Sequence, residues 1–193
     1  TCVIMDYKSG QQRPHKVLLY HGVQQQMPIY LLAMTKVPQI AAHFGVERLT
    51  PAGCFLLPLR GSPGRSKTRR EALANEETAR REAYTHGGVY NVDFLGSLDS
   101  SAPEESSGQF EFRFTKERVP YKNSFNALRP DEFSALLNRS EELLRQFGER
   151  IYEGEIAIFP YKRNRQTTAC KRCKMQSICR FDPAAQKFNV LRM

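Results

Sequence analysis

Two residues near the start of the chain, Asp6 and Lys8, have the types and spacing for phosphodiester chemistry. They close the apolar run Val3-Ile4-Met5 and stand just before Ser9-Gly10. Side chains alternate along an extended strand, so residues two apart share a face and converge on one spot. A carboxylate there can hold Mg²⁺, which takes hard oxygen ligands and keeps several waters. An adjacent ammonium can orient a water and stabilise charge growing on a phosphate. The backbone carbonyl of Tyr7 offers a second oxygen ligand. An Asp-x-Lys pair at a strand exit also has a plainer reading, as a solvated ion pair worth little.

The second group is Cys170, Cys173 and Cys179, spaced Cys-x2-Cys-x5-Cys. Between Tyr161 and Arg180 stand seven Lys or Arg residues and no acid, and positive surroundings favour the thiolate. Lys162, Arg163, Arg165, Lys171 and Arg172 are the candidate DNA contacts of this stretch. An odd total of five Cys without a signal peptide argues for a reducing compartment and against disulfides. Three thiolates leave one ligand to find, since tetrahedral zinc and a 4Fe-4S cluster each take four. The fourth is Cys2, Cys54, a histidine, or a residue outside this sequence.

The positioning elements follow from pattern. Val3 to Tyr7 reads as a strand. From Val17 to Phe44 apolar residues fall in helical clusters around Gln24-Gln25-Gln26. Gln26 and Tyr30, four apart, share a helix face and reach one site, with Pro28 read as a local kink. Cys54 to Leu59 reads as a second strand. Gly61 to Gly64 reads as a linker, and the resemblance of Gly61 to Thr68 to a phosphate loop fails because Ser66 precedes Lys67 where the motif needs Gly. A charged helical stretch at Lys67 to Tyr84 is expected to close at Gly87-Gly88. Ser97 to Gly108 reads as a mobile loop, and Gln109 to Phe114 alternates as a half-exposed strand does. A helix from Pro130 shows Phe133, Leu136, Leu137, Leu144 and Phe147 on one face and is expected to end at Gly148. His15, His21, His43 and His86 have no metal-like spacing.

The stretch from Val3-Ile4-Met5-Asp6-Tyr7-Lys8-Ser9-Gly10 through Gln24-Gln25-Gln26-Met27-Pro28-Ile29-Tyr30 resembles the RecB-family nucleases of the PD-(D/E)xK superfamily. That resemblance implies that Asp6 binds metal, Lys8 is catalytic, and Gln26 and Tyr30 line the active site. Ile156 to Lys162, Thr168-Ala169-Cys170 and Ser177 to Pro183 are similar to the C-terminal iron-sulfur segment of AddB-type helicase-nuclease subunits, and Pro51 to Leu59 resembles the strand after their Gln-x-x-x-Tyr helix. The resemblance implies an iron-sulfur role for Cys170, Cys173 and Cys179, with a fourth Cys far upstream of the nuclease motifs. Two matches in the same order are more specific than either alone.

The implied fold is α/β, a partial restriction-endonuclease-like PD-(D/E)xK core with a helical region and a cysteine-rich metal-cluster clasp. Residues 1–59 would be the core fragment, 60–149 charged linker, helices and loop packed on it, and 150–193 the basic iron-sulfur segment. Only five residues precede Asp6, whereas the family has further acidic residues upstream. The chain is therefore expected to be the C-terminal piece of a longer protein, with half of a Mg²⁺ site and inactive on its own. The implied function is a Mg²⁺-dependent DNA exonuclease of a bacterial double-strand break repair and recombination machine, acting on strands unwound by a helicase-nuclease partner subunit. Two other readings are a nuclease-fold DNA-binding scaffold without activity and a basic zinc-binding module.

Composition agrees with a nucleic-acid partner: 29 basic against 20 acidic residues give a net charge of +9 and a pI near 9.5. No apolar stretch approaches the roughly 20 residues that span a bilayer, no signal peptide is visible, and a cytoplasmic location is expected.

Overall fold

The computed structural model describes residues 1–61, 66–100, 109–112, 114–117, 119–121 and 125–192. A four-stranded sheet in the order β1-β2-β3-β4 organises the fold, built from β1 (Cys2–Lys8), β2 (Pro51–Pro58), β3 (Gly87–Asn91) and β4 (Ala127–Leu128). β1 runs parallel to β2 with Asp6 beside Leu56 and Lys8 beside Pro58, β2 is antiparallel to β3, and β3 is parallel to β4. Parallel neighbours need a crossover, supplied here by α1 (Lys16–Tyr20), α2 (Gln26–Lys36) and α3 (Pro38–His43).

The sheet is packed on both faces. On one, Met27, Leu31 and Leu32 of α2 meet Cys54, Val89, Leu128 and two residues of α7 (Pro130–Tyr152), Phe133 and Leu137. Cys2, Ile4 and Leu56 complete that layer. On the other, Phe55, Tyr90, Leu95, Phe110 and Ala127 gather, with Val3 and Leu57 against them. Even-numbered residues of β1 thus face the helices, and this parity carries Asp6 and Lys8 out of the core along the same line. Leu31 is wholly buried, which contributes about 2 kcal/mol of apolar burial.

Several expectations are corrected by local chemistry. The Val17–Phe44 stretch is three helices, because Gly22 takes φ +84° after α1 and Val37 turns extended before Pro38. Pro28 does not kink α2; it lies in the first turn, where a missing N–H costs no intrahelical bond. Gly87 and Gly88 do not end a helix but begin β3. A Cβ on Gly87 would stand 2.0 Å from the Gln12 carbonyl oxygen, and one on Gly88 2.4 Å from that of Cys54.

The charged stretch forms α4 (Arg69–Ala74), capped by Thr68, and α5 (Glu76–Ala83). Helix α7 passes through Gly148 and ends at Tyr152, where Gly154 takes φ +73°. Its inner face holds Leu143, whereas Leu144 is exposed. The described residues of Gln109–Phe114 form isolated bridges and not a strand, Phe110 with His86 and Phe114 with Pro120. Of the expected loop, Ser97 and Leu98 lie in the short helix α6 (Leu95–Leu98) and Asp99 is buried; residues 101–108 and most of the 61–64 linker lie outside the described residues. No described helix is long and apolar enough to cross a membrane.

Candidate active site

Asp6 and Lys8 end β1 on the helix-covered face, while Tyr7 between them points to the exposed side, 66% open. Lys8 Nζ lies 2.5 Å from Asp6 Oδ2 and donates a hydrogen bond to Gln26 Oε1 at 3.0 Å. Gln26 Nε2 in turn stands 3.4 Å from Tyr30 Oη, one helical turn on. All four residues read from sequence are therefore joined in one chain: carboxylate, ammonium, amide, phenol. Asp6 Oδ2 is shielded from solvent and pairs with the Lys8 ammonium, whose three N–H groups can serve Asp6 and Gln26 together.

Sequence reasoning placed Gln26 and missed what holds it. Gln24 Oε1 accepts the His15 backbone N–H at 2.8 Å, at the start of α1. Gln25 Nε2 donates to the Leu19 carbonyl at 2.6 Å, near its end. Adjacent glutamines thus fasten both ends of α1 to the head of α2 and present Gln26 to Lys8. The Gln24-Gln25-Gln26 run was the visible signal, but only three-dimensional structure gives each amide its partner. His15 also caps α1, its Nδ1 accepting from the Val17 N–H at 3.2 Å. Burial first, then the positive charge of Arg163, holds the His15 imidazole below its ordinary pKa.

The N-terminal pole of α2 carries no acidic residue in its first turn, so its partial positive charge lies free beside Lys8 and suits an anionic substrate. The donor set fits a divalent cation in part. Asp6 offers one carboxylate, now paired with Lys8, and Mg²⁺ is commonly bound by one or two carboxylates plus substrate phosphate and water. No three His, Cys, Asp or Glu residues gather into a metal-holding group among the described residues.

The C-terminal segment meets the core near α1. The His21 ring nitrogen Nε2 lies 2.7 Å from the Arg192 carbonyl oxygen, and Leu191 is buried. Its β5 (Tyr161–Lys162) and β6 (Asn189–Val190) pair in parallel. Lys162 Nζ sits 5.1 Å over the Phe188 ring. Arg165, Lys171 and Arg172 are exposed and Lys162 and Arg163 half-buried. Cys170, Cys173 and Cys179, the last closing the short helix α8 (Gln176–Cys179), line one cavity of about 280 Å³ with Phe181 and Phe188. All five cysteines are free. Cys54 is a core residue whose burial pushes its thiol up to about 12, and Cys2 packs in the same layer with its pKa also raised by burial; neither is suited to serve as the fourth thiolate.

Known proteins resemble this chain over most of its length. The sequence profile of the PD-(D/E)XK nuclease superfamily matches residues 1–180. The chain is 29% identical over 190 residues to the B subunit of the ATP-dependent helicase/deoxyribonuclease of Symbiobacterium thermophilum, covering 95% of this chain and 15% of that protein. It is 30% identical over 184 residues to the protein of the same name from Alkaliphilus metalliredigens, covering 93% and 15%. For that of Exiguobacterium sibiricum the identity is 25% over 183 residues, covering 93% and 16%. The chain thus spans about 15% of the length of the first two of these relatives. On the profile match and the Asp6, Lys8, Gln26 and Tyr30 constellation, the chain belongs to the PD-(D/E)XK nuclease superfamily.

Proposed function

We propose that this chain is the nuclease domain of a helicase-nuclease of the same kind as these relatives, hydrolysing DNA phosphodiesters on strands that a helicase partner has opened, in double-strand break repair in the bacterial cytoplasm. The observation that carries the reading is the continuous chain from Asp6 through Lys8 and Gln26 to Tyr30.

In this reading Lys8 holds the attacking water against the phosphate and balances the charge that develops there. Gln26 fixes the ammonium by accepting its hydrogen bond, Tyr30 restrains the Gln26 amide, and the head of α2 adds its positive pole to the phosphate site. Asp6 would hold Mg²⁺ together with substrate oxygens. Bound Mg²⁺ supplies charge neutralisation and a polarised phosphate. The Cys170, Cys173 and Cys179 thiols would supply three ligands of a 4Fe-4S cluster, with zinc the alternative occupant; the cavity they line and their basic surroundings support this, although among the described residues the three do not gather into a metal-holding group. Lys162, Arg163, Arg165, Lys171 and Arg172 contact the DNA backbone.

A Mg²⁺ titration of single-strand cleavage by the wild type and by Asp6→Asn tests the reading. The expected outcome is saturable Mg²⁺-dependent cleavage, lost in Asp6→Asn at every Mg²⁺ concentration while DNA binding persists. Equal cleavage by both proteins overturns it.

A further inference from the structure

The end of α7 and the chain after it hold a row of apolar side chains that the nuclease chemistry does not use. Ile151, Tyr152, Ile156, Ile158 and Phe159 are all exposed, Tyr152 92% and Ile156 91% open. Single exposed apolar residues are ordinary on a protein surface, but five large ones within nine positions mark a surface that something covers.

The backbone is as bare as the side chains. Among the described residues, the N–H and C=O groups of Ile156, Ala157, Ile158 and Phe159 find no backbone partner. Both ends of this run are nevertheless fixed. Before it, Gly154 turns with φ +73°, the Glu155 N–H donates to the Arg150 carbonyl at 3.0 Å, and the Arg150 guanidinium grips the Glu155 carboxylate with two nitrogens. After it, the Pro160 carbonyl accepts from the Asn189 N–H at 3.0 Å, and β5 begins. Two Ile and a Phe in four residues favour a strand, and fixed ends reduce the ordering cost of pairing one. β5 and β6 are only two residues each, a pair too short to be stable without further neighbours. A strand paired along 156–159 would lengthen β5 and supply one.

Three occupants compete for this surface. DNA does not suit it, because residues 151–159 carry Glu153 and Glu155 and no Lys or Arg. A second copy is disfavoured by mutual repulsion, each chain having a net charge of +9. A strand from the same polypeptide meets neither obstacle. The stretch shared with the relatives is 15% of their length, so a protein of their kind has ample chain outside it, held at the effective concentration of a tethered segment.

We propose that residues 156–159 are an acceptor strand for an extended segment of the same polypeptide lying outside these 193 residues. The segment pairs with one backbone edge of the run and sets its own alternating apolar side chains beside Ile156 and Ile158. The proposal rests on the helicase-nuclease reading, which supplies that longer polypeptide, and adds how the domain is joined to it.

Residue-resolved hydrogen exchange on the full-length protein, purified without its partner subunit, tests it. Pairing at one edge protects alternate amides, because successive N–H groups point to opposite sides of a strand. The expected result is that every second amide of 156–159 exchanges about 100-fold slower than in an unstructured peptide, at any protein concentration. Ile156→Lys combined with Ile158→Lys should abolish that protection and leave the amides of β1 and β2 unchanged, since charges on a strand edge oppose pairing. Exchange of all four amides at the unstructured rate overturns the proposal, as does protection of all four or protection that survives the double substitution. Protection that grows with protein concentration assigns the surface to a second copy, and protection that needs the partner subunit assigns it to that subunit; either result also overturns it. The same preparation is assayed for Mg²⁺-dependent cleavage of single-stranded DNA, which separates the two readings. Cleavage without protection removes the acceptor strand alone, whereas protection without cleavage removes the nuclease reading and leaves the strand.

Discussion

Lys8 has two partners of different kinds, a carboxylate it touches and an amide to which it donates, and the difference sets a hierarchy among the variants. A hydrogen bond from a charged group is worth about 1.5–3 kcal/mol and a neutral one about 0.5–1.5. Gln26→Leu should therefore slow cleavage by about 10- to 150-fold, while Tyr30→Phe, which loses a long 3.4 Å contact, should slow it by no more than about tenfold. Single-turnover rates of the two variants would check the order, and Tyr30→Phe as damaging as Gln26→Leu would refute it. His15 gives a pH dependence. Its folded pKa lies below the ordinary value near 6.5, through burial and then Arg163, so the unfolded chain takes up the proton first as pH falls. The stability contributed is complete above about 6.5 and is lost as pH falls from there through the folded pKa. His15→Asn, which keeps an N-cap acceptor, should flatten part of that acid loss in urea midpoints measured against pH; His86, also depressed by burial, contributes in the same direction.

At the scale of elements, the glycines explain where pattern reading went astray. Gly-Gly after a charged helix has the composition of a helix stop, yet Gly87 and Gly88 are there because two backbones pass too close for a Cβ. That demand comes from Gln12 and Cys54, remote in sequence, and no local window contains it. Gly148 lies in open space within α7, so the helix continues until Gly154 supplies the left-handed turn. Leu143 and Leu144 are both apolar neighbours, and only the packing of α7 on α2 and the sheet decides that the first is inside. The period-two placement of Asp6 and Lys8 and the four-residue spacing of Gln26 and Tyr30 were legible, because each is a local geometric rule. The Gln24 and Gln25 fastenings were not, since their partners are backbone groups of α1. Gly22→Ala should cost at least about 1–2 kcal/mol from its left-handed backbone alone, more if Phe147, whose ring atom would lie 2.5 Å from the new Cβ, cannot move. Phe133→Ala, at a site 2% exposed, should cost about 3–5 kcal/mol. Denaturant midpoints measure both, and an unchanged midpoint for Gly22→Ala would show that the turn tolerates a side chain.

At the scale of the whole molecule, a net charge of +9 and a basic C-terminal segment that reaches α1 predict strongly salt-dependent DNA binding. If Lys162, Arg163, Arg165, Lys171 and Arg172 each neutralise one phosphate, the log–log slope for single strands is about −3.5, and each alanine variant reduces its magnitude by about 0.7. A slope unaffected by these variants would move the DNA path elsewhere. The account as a whole stands on Lys8 as the group that acts at the phosphate. The most direct test is Mg²⁺-dependent cleavage of single-stranded DNA by the protein beside Lys8→Ala prepared identically, with binding followed in parallel. The account predicts a fall of about 10²–10³-fold in cleavage with binding nearly unchanged. Undiminished cleavage by Lys8→Ala would contradict it, and salt-sensitive binding with no cleavage by either protein would make the chain a DNA-binding scaffold.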